Sequence, residues 1–287
     1  MYPARFSYHA PAGVEEALEL LDRFGDEAKV LAGGQSLIPL MKLRFASPRA
    51  LVDINGIEGL DSIEEEDGLS IGALVRHKDC ERSDALRGRY GVLGDAAPQI
   101  SDPIVRNRGT VVGSLAHADP QGDWGSALLA AGAQLEVVSS AGTRTIPLAE
   151  LFQGPFTTSL QPNEIATAVQ VPDPGERAGG TYLKLERKIG DFATVGVAVH
   201  LSLDNGTVGR AGIALTGVGP SNLRAEAAEE FLAGSELNDD TIQEAARLAA
   251  EAAQPRTDNR GSADYKRSVV RVFTERGLRK AAETAAA

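Results

Sequence analysis

Two short segments of this sequence carry glycine where a phosphate-bearing ligand needs backbone at close range. The first is Ala32-Gly33-Gly34-Gln35-Ser36-Leu37, set between the apolar run Val30-Leu31-Ala32 and a helical pattern that begins Leu37, Leu40, Met41, Leu43. The second is Arg106-Asn107-Arg108-Gly109-Thr110-Val111-Val112-Gly113-Ser114-Leu115, continuing through His117 and Asp119-Pro120 to Asp123. Phosphates are held by backbone N–H donors; glycine permits the approach, and a helix N-terminus adds a favourable dipole. Thr110 and Ser114 add hydroxyl donors, and the Asp123 carboxylate can accept from a ring N–H or a sugar hydroxyl. Each segment alone is a weak signal. The first matches neither the three-glycine dinucleotide fingerprint nor the phosphate loop ending in Gly-Lys-Ser/Thr. Two glycines between a strand and a helix also suit a tight turn for structural reasons, and the second segment reads equally as a polar loop.

The elements that must hold these segments follow from periodicity. Val14, Ala17, Leu18, Leu21 and Phe24 recur at helical spacing, with Gly25 to end the helix. Residues 50–54 read as a buried strand closed by Asn55-Gly56, and 69–75 as another strand. A helical stretch includes Leu86, Leu93, Ala96 and Ala97; residues 101–125 read as a loop rich in Gly, Asp and Pro. A helix is expected at 126–131 and strands at 134–139 and 143–147. Residues 172–180 are the best candidate linker. Beyond it, apolar runs at 195–203 and 207–215 flank Asp204-Asn205-Gly206, a hairpin signal. Helices are then expected at 223–232, at 241–253 behind an Asn238/Asp239 cap, and from Ala263 to about Ala282, with the Ala-rich tail 281–287 fraying. Strands followed by helices predict a separate α+β domain. The expected units are therefore residues 1–57, 58–177 and 178–287.

Composition narrows the function classes. A formal net charge of -11 disfavours nucleic acid and anionic membrane surfaces as partners. No apolar core of signal-peptide length opens the chain, and no stretch approaches the ~18–20 apolar residues of a membrane span. A cytoplasmic protein without membrane insertion is expected. The single cysteine, Cys80, excludes an internal disulfide and reads as a small packed residue. It also excludes an iron–sulfur cluster carried by this chain alone, which needs about four such ligands. His9, His77, His117 and His200 show no metal spacing, so no metal site is expected; His200, among Val197, Val199 and Leu201, reads as a strand residue.

Taken together, the segments resemble the FAD-binding middle subunits of three-subunit molybdenum hydroxylases, the group that includes carbon monoxide dehydrogenase and xanthine dehydrogenase. Leu31-Ala32-Gly33-Gly34-Gln35-Ser36-Leu37-Ile38-Pro39-Leu40-Met41 looks like the first FAD loop of that family. Arg106-x-x-Gly109-Thr110-x-x-Gly113-Ser114-Leu115, with Asp119-Pro120 and Asp123, looks like the second. Tyr182-Leu183-Lys184-Leu185-Glu186-Arg187-Lys188, then Gly190-Asp191-Phe192-Ala193, resembles the start of the C-terminal domain. Order and spacing fit over almost the whole chain. The implied fold is α+β, the FAD-binding fold of the vanillyl-alcohol oxidase (PCMH) type. Two α/β subdomains hold FAD between them, and a C-terminal α+β domain closes the site.

By this resemblance Ala32, Gly33, Gly34, Gln35 and Ser36 wrap the pyrophosphate with Leu37 beside them, and Thr110, Val111, Val112, Gly113 and Ser114 form the facing loop. Asp123 hydrogen-bonds the flavin side, Lys184 reaches toward the flavin, Phe192 lies near the ring face, and Ile100 lines the cofactor. One position departs from the family. Its second loop often carries two adjacent glycines, whereas here Val112 precedes Gly113. A β-branched residue resists positive φ, so Val112 must take ordinary geometry. On the residues alone, Lys184 reads equally as a solvated charge or a salt bridge, and Trp124 as core or interface. Arg106 and Arg108 can clamp phosphate, orient the loop or face a partner.

The implied function is electron transfer without a catalytic acid, base or nucleophile on this chain. A large molybdopterin subunit oxidises substrate, a small [2Fe–2S] subunit relays electrons, and non-covalent FAD here passes them to an external acceptor, in a dimer of heterotrimers. Two other readings are a self-sufficient FAD oxidase or dehydrogenase of the same fold and a non-catalytic nucleotide-binding scaffold. The first needs a base beside the flavin, and none stands out; the second would purify without flavin.

Overall fold

The computed structural model describes residues 2–286. The chain opens with β1 (Ser7–His9), α1 (Val14–Phe24), β2 (Ala28–Leu31), α2 (Leu37–Lys42) and β3 (Ala50–Asp53). The strands form a parallel sheet in the order β1-β3-β2. α1 buries Ala17, Leu18 and Leu21 and ends at Gly25, whose φ of 52° suits only glycine well. Parallel β2 and β3 need a crossover, and residues 32–49 with α2 provide it. The first glycine-rich segment therefore leaves the carboxyl end of β2, the end at which open α/β sheets bind ligands.

A second layer holds β4 (Ile63–Glu65), β5 (Gly68–Gly72), α3 (His77–Arg82), α4 (Gly91–Ala96), α5 (Pro103–Arg106), α6 (Val111–His117), α7 (Asp123–Ala131), β6 (Gln134–Ser139), β7 (Gly142–Pro147), α8 (Leu148–Leu151), β8 (Phe152–Gly154), β9 (Thr157–Thr158) and β10 (Ile165–Pro172). Its main sheet is antiparallel in the order β4-β5-β10-β6-β7. Residues 101–125, expected as a loop, contain α5, α6 and the first turn of α7. Every α7 residue is buried, so the helix has no polar face by which its start could be seen.

The third layer is β11 (Ala178–Leu185), β12 (Val195–Asp204), β13 (Thr207–Thr216) and β14 (Leu223–Arg224), antiparallel in that order, followed by α9 (Glu226–Leu232), α10 (Asp239–Ala252) and α11 (Ala263–Ala286). Asn205 and Gly206 both have positive φ (49° and 89°), as a two-residue hairpin turn requires. Asn238 caps α10 by accepting from Thr241 N at 3.0 Å. Two expectations fail here. Residues 223–224 pair with β13 rather than opening a helix, because Leu223 extends the sheet. The Ala-rich tail is ordered helix through Ala286, since Ala281 and Ala285 pack on the bare backbone of β11: a Cβ on Gly179 would meet Ala281 O at 2.2 Å. Ala287 lies outside the described residues.

This sheet is buried on both faces. Val195, Val197, Val199 and Leu201 point toward α9, α10 and α11; Ala198 and Ala214 point toward α4 and α7 and belong to the core of the first two layers. The continuous apolar runs in the sequence follow from this double burial. The α7 side is lined by small residues so that backbones can touch. A Cβ on Gly212 would stand 1.9 Å from Ala130 O, and one on Gly91 2.8 Å from Gly180 O. No helix among the described residues is long and apolar enough to cross a membrane.

The docking is therefore intolerant of one methyl group. Gly212→Ala is expected to cost at least ~1–3 kcal/mol in urea unfolding, the range of core overpacking. Gly56→Ala, in a turn with open space around it, should change the midpoint little. Equal effects would contradict the close approach.

Candidate functional site

The two glycine-rich segments, far apart in sequence, touch. A Cβ on Gly33 would lie 2.4 Å from Arg108 O and 2.8 Å from Gly109 Cα. Gly33 is thus required by the neighbouring loop and not only by an approaching ligand. Gly34 has φ of 71° and turns the chain into α2. From Gly33 to Leu37, five consecutive backbone N–H groups donate to no described residue; the first bond of the turn is Ile38 N to Gly34 O. In the second segment Thr110 caps α6, its hydroxyl accepting from Gly113 N at 3.2 Å. Val111 and Val112 are helical and buried, so they offer only backbone toward any ligand. Val112 takes the ordinary geometry its branching demands. Arg106 orients the loop: it bonds Glu81 at 2.9 Å and the carbonyls of Ile100 (3.2 Å) and Ser101 (2.9 Å). Arg108 is exposed.

A second group assembles where α7 meets β11. Side chains alternate along a strand, so Tyr182 and Lys184 share the face turned to α7. Asp123, the first residue of α7, meets both: Tyr182 Oη donates at 2.6 Å and Lys184 Nζ at 3.0 Å. Lys184 Nζ also donates to Gln99 O at 2.8 Å and stands 3.4 Å from Glu186 Oε2. Its side chain is 1% exposed, which removes the reading of a solvated charge. Burial pushes the Asp123 carboxyl up, with Lys184 and Tyr182 pulling the other way; burial and the Asp123 charge push the Tyr182 phenol well up. Ile100, 9% exposed, follows Gln99 directly. Phe192 is half exposed, on a loop anchored by Arg260 to its own carbonyl at 2.8 Å and to Asp191 at 3.1 Å. That loop touches Ser101, since a Cβ on Gly190 would lie 2.9 Å from Ser101 O.

Trp124 and His77 tie the two groups together. Trp124 is core, and its Nε1–H donates to His77 Nδ1 at 3.0 Å, which fixes the imidazole proton on Nε2. His77 N–H donates to Gly109 O at 3.0 Å, and the ring packs under Gly109. Burial, with Arg106 and Arg76 nearby, lowers the imidazole to about 4. The sequence reading gave no role to Gln99, Tyr182 or His77. Period-two spacing from Lys184 marks Tyr182; nothing local marks a histidine that bonds a tryptophan 47 positions away. A cavity of about 390 Å³ lies elsewhere, lined by Glu64, Glu66, Asp67 and Gln170, and its carboxylates repel phosphate.

The comparisons with known proteins agree over the full chain. Residues 4–174 match the family model for the FAD binding domain in molybdopterin dehydrogenase, and residues 180–281 that for the CO dehydrogenase flavoprotein C-terminal domain. The carbon monoxide dehydrogenase medium chain of Hydrogenophaga pseudoflava is 42% identical over 282 residues, 98% of either chain. The chain belongs to the family of FAD-binding medium subunits of molybdenum hydroxylases. The 6-hydroxypseudooxynicotine dehydrogenase complex subunit alpha of Paenarthrobacter nicotinovorans is 40% identical, covering 98% of this chain and 96% of that one. A solved structure of the Hydrogenophaga carbon monoxide dehydrogenase, in a form lacking the Mo-pyranopterin moiety of the molybdenum cofactor, superposes with a TM-score of 0.94 at 43% identity over 99% of each chain. As a medium subunit of this family the chain is an α+β flavoprotein oxidoreductase subunit, its fold that of the PCMH type.

Removing one partner of a buried ion pair strands the other. Lys184→Met is expected to cost ~3–5 kcal/mol in urea unfolding, and Lys184→Met with Asp123→Asn should recover part of it. A double variant no more stable than Lys184→Met would contradict the pairing. The His77 shift carries a sign. The unfolded imidazole takes its proton near pH ~6.5, the folded one only near about 4. Stability is therefore full above the unfolded value and declines as pH falls between the two. His200, also lowered to about 4 by burial and Arg210, adds to the same window. The urea midpoint should fall between pH 7 and 4.5, less steeply in His77→Gln; an identical fall would exclude His77 as a source.

Proposed function

We propose that this chain holds FAD non-covalently between its two glycine-rich loops and serves as the electron outlet of a molybdenum hydroxylase. The observation that carries the reading is the run of five unpartnered N–H groups from Gly33 to Leu37, at the carboxyl end of a parallel strand and backed by the second loop. Such a run is an anion-binding concavity and fits a pyrophosphate. Ala32, Gly33, Gly34, Gln35, Ser36 and Leu37 bind that part, and Thr110, Val111, Val112, Gly113 and Ser114 face it. The Asp123–Lys184 pair, with Ile100 and Phe192, lies on the flavin side.

FAD, held by these loops, would supply redox chemistry suited to a relay between the [2Fe–2S] clusters of a small partner and an external acceptor. The residues of this chain bind and orient. The backbone amides neutralise phosphate, Lys184 holds a fixed positive charge, and the buried walls of Val111, Val112 and Ile100 keep water away. The lone buried Cys80, its thiol pushed up to about 12 by burial and by Asp79, leaves the clusters to a partner. The two relatives named above are components of multi-subunit enzymes, which supports partner subunits for this chain; the proposed partners are a large molybdopterin subunit and a small iron–sulfur subunit, in a dimer of heterotrimers. Units of residues 1–57, 58–177 and 178–287 are supported by the three principal sheets.

The test is the absorption spectrum of the purified full chain, followed by heat release of any yellow cofactor. Flavin absorption with released FAD is expected, and Gly33→Val, which forces the loops apart, should purify colourless. A colourless wild type that also fails to take up added FAD would overturn the reading.

A further inference from the structure

The two glycine-rich loops are joined by residues that belong to neither. Asn55, in the turn after β3, donates from its amide nitrogen to Ala32 O at 2.8 Å. Its amide oxygen accepts from Arg76 Nη2 at 2.5 Å. The other arm of the same guanidinium, Nη1, donates to Arg108 O at 2.6 Å. The bridge thus runs from the carbonyl that precedes Gly33 to the carbonyl against which Gly33 packs. Behind it, Asp53 fixes the amide: Oδ1 accepts from Asn55 N at 2.9 Å and from Asn55 Nδ2 at 2.5 Å, and Oδ2 accepts from Tyr8 Oη at 2.6 Å.

Two features set this apart from ordinary surface pairing. First, both of these guanidinium arms are spent on neutral acceptors, and among the described residues no carboxylate stands within ion-pair distance of Arg76. Burial and the Arg108 charge lower Arg76, against the opposing pull of Asp79, Asp53 and Asp61. A partly buried cation without an ionic partner is costly unless its hydrogen bonds are needed. Second, the amide of Asn55 has only one workable orientation. Its nitrogen faces Ala32 O and Asp53 Oδ1, which only accept, and its oxygen faces a guanidinium, which only donates. The pair is specified at both ends, and the rigid planar fork of arginine sets the separation.

We infer that Asn55 and Arg76 form a positioning clamp that fixes the spacing of the two loops and, through it, the affinity for FAD; this rests on the FAD assignment above. Neither residue touches the cofactor in this role. The N–H groups of Gly33 to Leu37 and the cap of α6 converge on one ligand only if Ala32 and Arg108 are held at a fixed separation. Preorganisation of this kind raises affinity by removing the cost of ordering the loops on binding.

The experiment is FAD titration of the full chain, freed of flavin, for wild type, Arg76→Lys, Asn55→Ala, Asn55→Asp and the double variant Asn55→Ala/Arg76→Lys. Urea midpoints of the FAD-free proteins are measured alongside. Arg76→Lys keeps the charge and loses the fork. Asn55→Asp keeps an acceptor for Arg76 and loses the donor to Ala32. Each single variant is expected to weaken FAD binding at least about tenfold, with the urea midpoint nearly unchanged, and the double variant to be little worse than the weaker single. Visible circular dichroism of the FAD-saturated variants should differ from wild type, reporting a shifted flavin. Wild-type affinity in Arg76→Lys or in Asn55→Asp would overturn the clamp while leaving the FAD assignment intact, as would independent, multiplicative losses in the double variant. Arg76→Lys alone decides the matter if Asn55→Ala does not fold. A wild type that binds no FAD would overturn both.

Discussion

Lys184 and Asp123 are each almost wholly out of water, and two charges taken from water return less than they cost unless their geometry is good and their remaining hydrogen-bonding capacity is used. Here it is used. The ammonium has the Asp123 carboxylate, the Gln99 carbonyl and the Glu186 carboxylate around it, and the carboxylate has Tyr182 as a second donor. The pair sits where the first residue of α7 meets the face of β11, so it forms only when the C-terminal sheet is seated on the rest of the molecule. A lysine at that depth without Asp123 would keep only the Gln99 carbonyl and the Glu186 carboxylate, and the seating of the sheet would be weakened. Without the sheet, Asp123 would be a solvated residue at a helix start. The site and the docking of the third layer are one condition.

The same constraint explains why the sequence was readable in parts. Both glycine segments stand out by composition, and the resemblance supplied their pairing; in the structure the two segments touch where Gly33 meets Arg108. Strands β12 and β13 and their hairpin were visible because Asn205-Gly206 has a local reason to turn. What escaped was set by tertiary environment. α7 has no polar face because it is packed on every side, so its start at Asp123 could not be placed by periodicity. The ordered tail depends on Gly179 leaving room beneath Ala281 and Ala285, a fact about β11 and not about the tail. Lys184 read alone leaves a solvated charge and a salt bridge both open, since most lysines are exposed; only its acceptors, brought from Gln99 and Asp123, decide for the salt bridge.

Val112 shows how a departure from a family pattern is accommodated. A glycine at this place would give the backbone a freedom that the chain does not use. Val112 is helical, its side chain is in the core, and only its backbone is available to a ligand. The conformational freedom of the second loop is confined to Gly109, which lies against His77, and Gly113, which lies under the Thr110 hydroxyl. The loop is stiffened by burying a β-branched residue where flexibility would otherwise have to be removed on binding.

Stiffness is the common thread among the polar groups of the site. Arg106 is spent on the carbonyls of Ile100 and Ser101, Arg260 on that of Phe192, and His77 on a single tryptophan. None of these is poised to move a proton: the His77 imidazole is neutral, its one acceptor nitrogen occupied, and the Tyr182 phenol is pushed far up by burial. In this site the charges and dipoles are each held by named partners, an arrangement suited to an FAD-binding domain.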